Sequence, residues 1–478
     1  MQTNRKPKLG VIAVAKVNHQ KDEINKMLEY YKSYFAQCDI VDEVICADVL
    51  YKEADIVQTA IDMENSGVDC VVFIVGTWVF SSHVISAAHS IHIPFVLYGL
   101  SNEIANGNFG ASLQIRYVLQ EMGKRFLYLY GTIDNDENLG KIISFAKAAW
   151  TMNGIKNKKI ATIGGKCMMM YQTQVNEFSW KEVFGVDFPQ YDAVQVFTEM
   201  KNIPDDEAQA VADKFVKNFD RIVWEVPETG EKIAGDAIVS QAKMFLAFKK
   251  LSKMYGIDVF ANKCMPEMAS GVYGYKYAAC IATCMLNEAG LLTACEADIP
   301  AAFSMLVLST LTGRKVFFAD IARLSADRRR ITFFNCGTAP VSMADRDQPV
   351  ELWPNPDATA DEGVADEYFL YGKDKERGGC VKFELKSGEI VTILRVGGNG
   401  GTLRFHAATA TTCPREVNPS EALGQRWPGF GLEMKGNIDE FLQNTVGHHY
   451  VLVKGDWRRE LEYLAGMYKV EYVFYDGI

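Results

Sequence analysis

Short apolar runs alternate with longer segments of helical period through the amino-terminal part of the chain. This is the pattern of strands and helices that build a parallel sheet. Lys8–Ala15, Glu43–Cys46, Cys70–Val75 and Phe95–Tyr98 read as strands, with helices such as Lys21–Ala36 and Ile56–Asn65 between them. Leu113–Trp150 reads as one long helical region, closed by Asn153-Gly154 and the polar Lys156-Asn-Lys-Lys159. A second α/β stretch opens at strand Lys159–Gly165. It carries helices Asp205–Asn218 and Asp236–Tyr255, strand Asp258–Ala261 and helix Tyr275–Glu288. Past Asn335-Cys-Gly-Thr-Ala-Pro340 the period changes. Residues 341–366, rich in Asp and Pro, read as loop, and Cys380–Leu385, Ile390–Val396 and Thr402–Ala410 read as antiparallel strands joined at Ser387-Gly388 and Gly397–Gly401. The tail reads as helix Asn437–Gln443, strand Tyr450–Val453, helix Trp457–Met467 and strand Val470–Tyr475. The expected class is α/β: two Rossmann-like parallel-sheet domains, 1–155 and 156–340, then a β-rich, barrel-like domain over 341–478.

Composition narrows the partners. A chain of 478 residues exceeds one ordinary core, which agrees with several domains. Hydrophobic content of 48% and charged content of 23% are those of a soluble globular protein. The net charge of −10, from 50 basic and 60 acidic residues, argues against nucleic acid or an anionic membrane as partner. A local basic pocket for a small anion stays compatible with it. The 11 cysteines are odd in number and follow no disulfide framework; the nearest pair, Cys280 and Cys284, has helical spacing. They read as reduced thiols of a cytoplasmic protein. The run Leu9–Ala15 follows basic residues as a signal peptide would, but Lys16 ends it and no small-residue cleavage site follows, so it reads as a strand. No apolar stretch is long enough to span a bilayer.

The most telling feature is a pair of acids that end apolar runs, Leu291-Leu-Thr-Ala-Cys-Glu296-Ala-Asp298 and Lys315-Val-Phe-Phe-Ala-Asp320. A carboxylate at the mouth of a buried strand is costly to desolvate unless it meets a cation, a proton or several donors. The helix Pro300–Leu311 separates the two, so they read as one right-handed β–α–β crossover with both acids at the carboxyl edge of a single parallel sheet. Gly447-His448-His449 offers an imidazole downstream. Adjacent residues on an extended segment point to opposite sides, so one histidine of the two is expected to face a given site. Two acids and an imidazole suit a divalent cation with room left for substrate oxygens.

Other motifs carry less. Gly397-Gly398-Asn399-Gly400-Gly401 lies between strands and opens no helix, so it reads as a hairpin loop rather than a phosphate cradle. Gly164-Gly165-Lys166 lacks the remaining glycines of a nucleotide fingerprint. Met168-Met169-Met170 after it reads as packing filler, or as an apolar wall for a sugar face. His83, His89 and His92 share one helix without a carboxylate or thiolate at metal spacing and read as structural. Asp327-Arg328-Arg329-Arg330 reads as a solvated turn, or as an anion grip near the site edge.

On these residues the chain resembles the L-fucose isomerase / L-arabinose isomerase superfamily. Thr293-Ala-Cys-Glu296-Ala-Asp298-Ile-Pro-Ala-Ala302 is similar to its first metal-carboxylate motif, and Phe317-Phe-Ala-Asp320 to its second. Val446-Gly-His448-His449 resembles its carboxyl-terminal double histidine, whose second member binds metal, and Asn335-Cys-Gly337 resembles a strand end lining the same site. The resemblance spans essentially the whole chain. It implies an aldose–ketose isomerase of a pentose, deoxyhexose or related aldose, using Mn2+ or another divalent cation held by Glu296, Asp320 and His449. Glu296 and Asp320 would be the catalytic pair, working through an enediol. Trp78, in Gly76-Thr77-Trp78, Met169, Asn335 and His448 would contact the sugar. A homo-oligomer, often a hexamer, is implied, with Trp78 reaching a neighbour's site. The chain is shorter than typical fucose isomerases, and an extra metal histidine near Thr338 is absent. An anionic aldose such as sulfoquinovose is the alternative substrate, and a non-catalytic sugar-binding protein of two α/β lobes the alternative class. A nicotinamide-dependent oxidoreductase lacks its fingerprint.

Overall fold

The computed structural model describes residues 6–16, 43–101, 107–132, 135–265, 268, 277–356, 376–417 and 425–478, with scattered positions between 22 and 34. Most of the helix expected over Lys21–Ala36 and part of the loop expected over 341–366 lie outside these residues; the positions described between 22 and 34 are helical. The protein is mixed α/β, with parallel sheets and a β-rich carboxyl-terminal region. Two compact units form: Thr3–Gly154 with Arg459–Lys469, and Ile155–Arg458 with Val470–Ile478. No helix among the described residues is long and apolar enough to cross a membrane.

The first unit holds a five-stranded parallel sheet in the spatial order Glu43–Cys46, Lys8–Val14, Cys70–Val75, Phe95–Leu100, Phe126–Gly131. This is one of the two common doubly wound orders. Its central strands are buried throughout, which is why they read as unbroken apolar runs. The long helical region expected over Leu113–Trp150 is instead two helices, Asn108–Glu121 and Asp136–Ile155, with the strand Phe126–Gly131 between them. That strand is the sheet's edge and only Leu129 in it is fully buried, so its apolar signal is weak. Gly123, at φ +66°, ends the first helix and makes the break.

The second unit sets a parallel sheet beside an antiparallel one. The parallel sheet runs Thr293–Ala294, Val259–Asn262, Ile160–Ile163, Gln190–Tyr191. The other has seven strands, and six of them pair in a cycle: Ile390–Asn399, His449–Lys454, Phe317–Leu324, Arg330–Phe334, Gly429–Glu433 and Thr402–Cys413, which pairs back with Ile390–Asn399. The seventh, Glu471–Asp476, lies parallel on Thr402–Cys413. The helix Ile299–Thr312 touches strands of both sheets. Its sequence, IPAAFSMLVLSTLT, is apolar on every side, as a helix enclosed by sheets requires.

The single crossover expected between the two acids is therefore not present. Glu296 follows the edge strand of the parallel sheet, and Asp320 lies inside an antiparallel strand of the other. An apolar run ending in an acid has the same appearance in either setting. What decides is the partner: Phe317–Leu324 forms a hairpin with Arg330–Phe334 and takes His449–Lys454 on its other edge.

Candidate active site

The site lies at the amino end of the helix Ile299–Thr312, where the parallel and the seven-stranded sheet of the second unit present their residues to one point. Glu296 and Ala297 bridge the end of strand Thr293–Ala294 and the helix, both in left-handed backbone at φ +58° and +52°. Such conformations cost about 1–3 kcal/mol each in non-glycine residues and cluster at functional sites. Asp298 caps the helix by accepting the Ala301 N–H at 2.8 Å.

Opposite, the ladder register places Asp320 directly across from His449. Glu296, Asp320, His448 and His449 each turn a ligand atom to within 4.8 Å of all the others. Both histidines thus reach the site. Strand alternation does not apply to them because His448 precedes the strand, which begins at His449. Gly447 at φ +151° shapes that approach: a Cβ there would stand 2.2 Å from Arg395 Nε.

His449 is fully buried. Its Nδ1 lies 2.7 Å from Asp298 Oδ2. Its Nε2 lies 3.1 Å from Glu296 Oε2 and 3.0 Å from Asp320 Oδ1, yet makes no aligned hydrogen bond. A buried imidazole nitrogen set between two carboxylate oxygens, with its other nitrogen fixed by a carboxylate, is the donor arrangement of a metal-binding histidine. These residues fit a divalent cation.

Behind His449, the fully buried Arg395 meets Asp298 Oδ2 at 2.9 Å and Oδ1 at 3.3 Å. It also donates to the carbonyls of His449, Val446 and Gln172, each at 3.0 Å. One guanidinium therefore ties the helix cap, the histidine segment and the loop that carries Gln172. Asn335 donates to Asp320 Oδ2 at 3.2 Å and is itself buried. Gln172 Nε2 stands 3.2 Å from His448 Nδ1.

The charges are strongly shifted. Burial, joined by Asp320 and Asp298, raises Glu296 despite the pull of His449. Burial opposes ionisation of Asp320, but His449, His448 and the Asn335 amide outweigh it and hold the carboxyl low. His449 is raised well above the imidazole range: burial resists its charge, and Asp320, Asp298 and Glu296 overcome it. Burial beside His449 brings His448 down to about 4, so it is neutral at pH 7. Asp298 falls to about 2, since Arg395 and His449 outweigh its burial. Two carboxylates beside one buried imidazole hold its proton against the cost of burial.

Of the remaining residues expected at the site, Met169 is exposed at φ +55° on the loop between strand Ile160–Ile163 and Gln172. Trp78 is in the first unit, 38% exposed and edge-on to Phe80. The basic run Asp327–Arg330 is the turn between strands Phe317–Leu324 and Arg330–Phe334, at the end away from Asp320. Arg328 pairs there with Asp439, and Arg330 with Asp327 and Glu416. The sequence reading gave no role to Arg395 or to the Asp298–His449 contact. A signal was present: Arg395 interrupts the apolar strand Ile390-Val-Thr-Ile-Leu-Arg395-Val, and a charge there needs a buried partner. Gln172 gave none.

No family model matches the chain. Curated relatives named sulfoquinovose isomerase align with most of it. The protein of Clostridium sp. (strain MSTE9) is 21% identical over 84% of this chain and 85% of its own length. That of Alkalicoccus urumqiensis is 21% identical over 86% of each, and that of Priestia aryabhattai 22% identical over 77% and 75%. Among solved structures, an ABC transporter solute-binding protein from Burkholderia multivorans covers 65% of this chain at 11% identity and a TM-score of 0.18, too low to indicate a shared fold. Aligned along most of its length with isomerases, and with its ionisable groups drawn to one point, the chain is an isomerase, an intramolecular oxidoreductase.

Proposed function

We propose that the protein is a divalent-cation-dependent aldose–ketose isomerase acting on a sulfonated aldose of the sulfoquinovose type. The observation that carries the cation is His449 Nε2, buried and without a hydrogen bond between Glu296 Oε2 and Asp320 Oδ1. Glu296, Asp320 and His449, with His448 beside them, would hold the ion, and Mn2+ is the favoured identity. A bound divalent cation supplies Lewis-acid stabilisation of negative charge on neighbouring sugar oxygens.

The residues supply the proton chemistry. Isomerisation moves a hydrogen between C1 and C2 through an enediol. One carboxylate of the Glu296–Asp320 pair takes the carbon-bound proton and returns it to the adjacent carbon, while the other carries the hydroxyl proton. His448, neutral and partly exposed, would bond a sugar hydroxyl. The motifs that resemble the L-fucose isomerase and L-arabinose isomerase superfamily agree with this reading, as does the cyclic pairing of six strands drawn from both sides of residue 341. Homo-oligomerisation belongs to the same proposal, and the exposed Trp78, Phe80, Phe109 and Tyr130 of the first unit support it.

The sulfonated substrate follows the relatives' names. A neutral aldose is the second reading, favoured by the exposed Met168 and Met169. The test is ketose formation from sulfoquinovose and from L-fucose with added Mn2+ and after chelation. Cation-dependent turnover supports the reading, and the absence of turnover on any aldose tried rejects it.

A further inference from the structure

A sulfonated sugar brings a fixed negative charge, and a chain of net charge −10 has no long-range field to attract it. The charge must meet a particular cation near the cluster. Arg395 is buried and fully engaged. The turn bearing Arg328–Arg330 closes the far end of its hairpin, four residues or about 13 Å along the strand from Asp320.

Lys166 differs from both. It is half-buried on the loop that leaves strand Ile160–Ile163 at the carboxyl edge of the parallel sheet, the edge from which Glu296 also rises. Its ammonium lies 3.9 Å from the centre of the Tyr171 ring and has no carboxylate partner among the described residues. Lys263 stands beside this loop, its Cβ 3.3 Å from where a Gly164 Cβ would be. The loop is held in one form. Gly164, Gly165, Met168 and Met169 all have left-handed backbone, Cys167 is buried with its thiol 3.2 Å from the Met265 carbonyl, and Thr173 Oγ1 bonds the Met170 carbonyl at 2.9 Å. Its far end is fastened to the cluster, because Gln172 gives its carbonyl to Arg395 and its amide to His448.

We propose that Lys166, seated on Tyr171, is the anion grip for the C6 sulfonate of a sugar held at the Glu296–Asp320–His449 cluster. The inference rests on the isomerase reading above. A cation over an aromatic face keeps its charge and its donors available. An ammonium so placed can donate to sulfonate oxygens without first leaving a carboxylate. Met168 and Met169 would then border the ring carbons, so the loop would read the tail of the sugar while the cluster reads its head.

The test compares sulfoquinovose with D-glucose, which differs only at C6, in the metal-loaded enzyme. Lys166→Met should lower the ratio of kcat/KM for the sulfonated over the neutral sugar by about 10- to 100-fold, through KM, as loss of a charge-assisted bond predicts. Lys166→Arg should keep most of the ratio. KM for sulfoquinovose should rise with added KCl in the wild type and lose that dependence in Lys166→Met. An unchanged ratio in Lys166→Met overturns the proposal. If the wild type turns over neither sugar, the isomerase reading fails separately, and calorimetric binding of sulfoquinovose decides the grip. Weaker binding by Lys166→Met supports it; equal or undetectable binding by both proteins overturns it.

Discussion

Glu296 and Asp320 reach the same point from two unlike kinds of backbone. Asp320 and His449 are partners in a regular antiparallel ladder, so strand register alone sets their separation. Glu296 stands on a bend of two left-handed residues, beyond the edge strand of another sheet. The ladder side has unstrained backbone, and Arg395, Asp298 and Asn335 hold its residues in place. The bend side stores strain that its surroundings must hold in place. On the proposed reading this becomes a division of labour: the antiparallel sheet would define where a cation sits, and the bend would deliver a carboxylate that moves protons. It also sets where substitutions should strike chemistry and where they should strike folding.

The largest effect should fall on the bend. Glu296→Gln keeps size and backbone but removes the charge, and kcat should drop by about 100- to 10,000-fold. The thermal midpoint without metal should change little, because no ladder contact is lost. A comparable loss of stability would mean that Glu296 is structural and the contrast is mistaken. Next comes the ladder side. Arg395→Met leaves Asp298 in the core without its guanidinium, which should destabilise the protein by about 3–5 kcal/mol in denaturant unfolding. Adding Asp298→Asn to that variant should recover part of the loss, since asparagine still caps the helix.

The same pair predicts a pH dependence. The Asp298 carboxyl is held down at about 2, below its ordinary value of 3.8. Its contribution to stability is therefore fully present above about pH 4 and is lost as pH falls towards 2, on the order of 2 kcal/mol in all. Asp298→Asn should flatten that part of the stability curve, and acid unfolding followed by circular dichroism reads it. The smallest effect is a gain. Ala297→Gly removes strain at φ +52° and should stabilise the fold by about 0.5–1 kcal/mol, if the bend is strained as its backbone indicates. A loss of stability there would say that the bend is relaxed and the two halves are alike.

Much of this was readable in the chain, for identifiable reasons. The central strands of both parallel sheets are buried on two faces and announce themselves as apolar runs, as Cys70–Val75 does. Glu296, Asp320 and His449 stood out because charge beside such runs is rare and needs a cause. Strand partners were not readable. Phe317–Leu324 is equally apolar whether it lies in a parallel or an antiparallel sheet, and its pairing with Arg330–Phe334 and the distant His449–Lys454 settles which. The edge strand Phe126–Gly131 was hidden inside helical sequence because it buries so little. Lys166 and Gln172 sit in a loop fixed by backbone angles and carbonyl bonds, which leave no periodic trace.

The central claim is that Glu296, Asp320 and His449 hold one divalent cation that the isomerase requires. Titration of the chelator-treated protein with Mn2+, followed by electron paramagnetic resonance, tests it most directly. The account predicts one tightly bound ion per chain, lost in Asp320→Asn while the folded structure persists. Binding of Mn2+ to Asp320→Asn with wild-type affinity and stoichiometry, or no tight binding by the wild type, would contradict it.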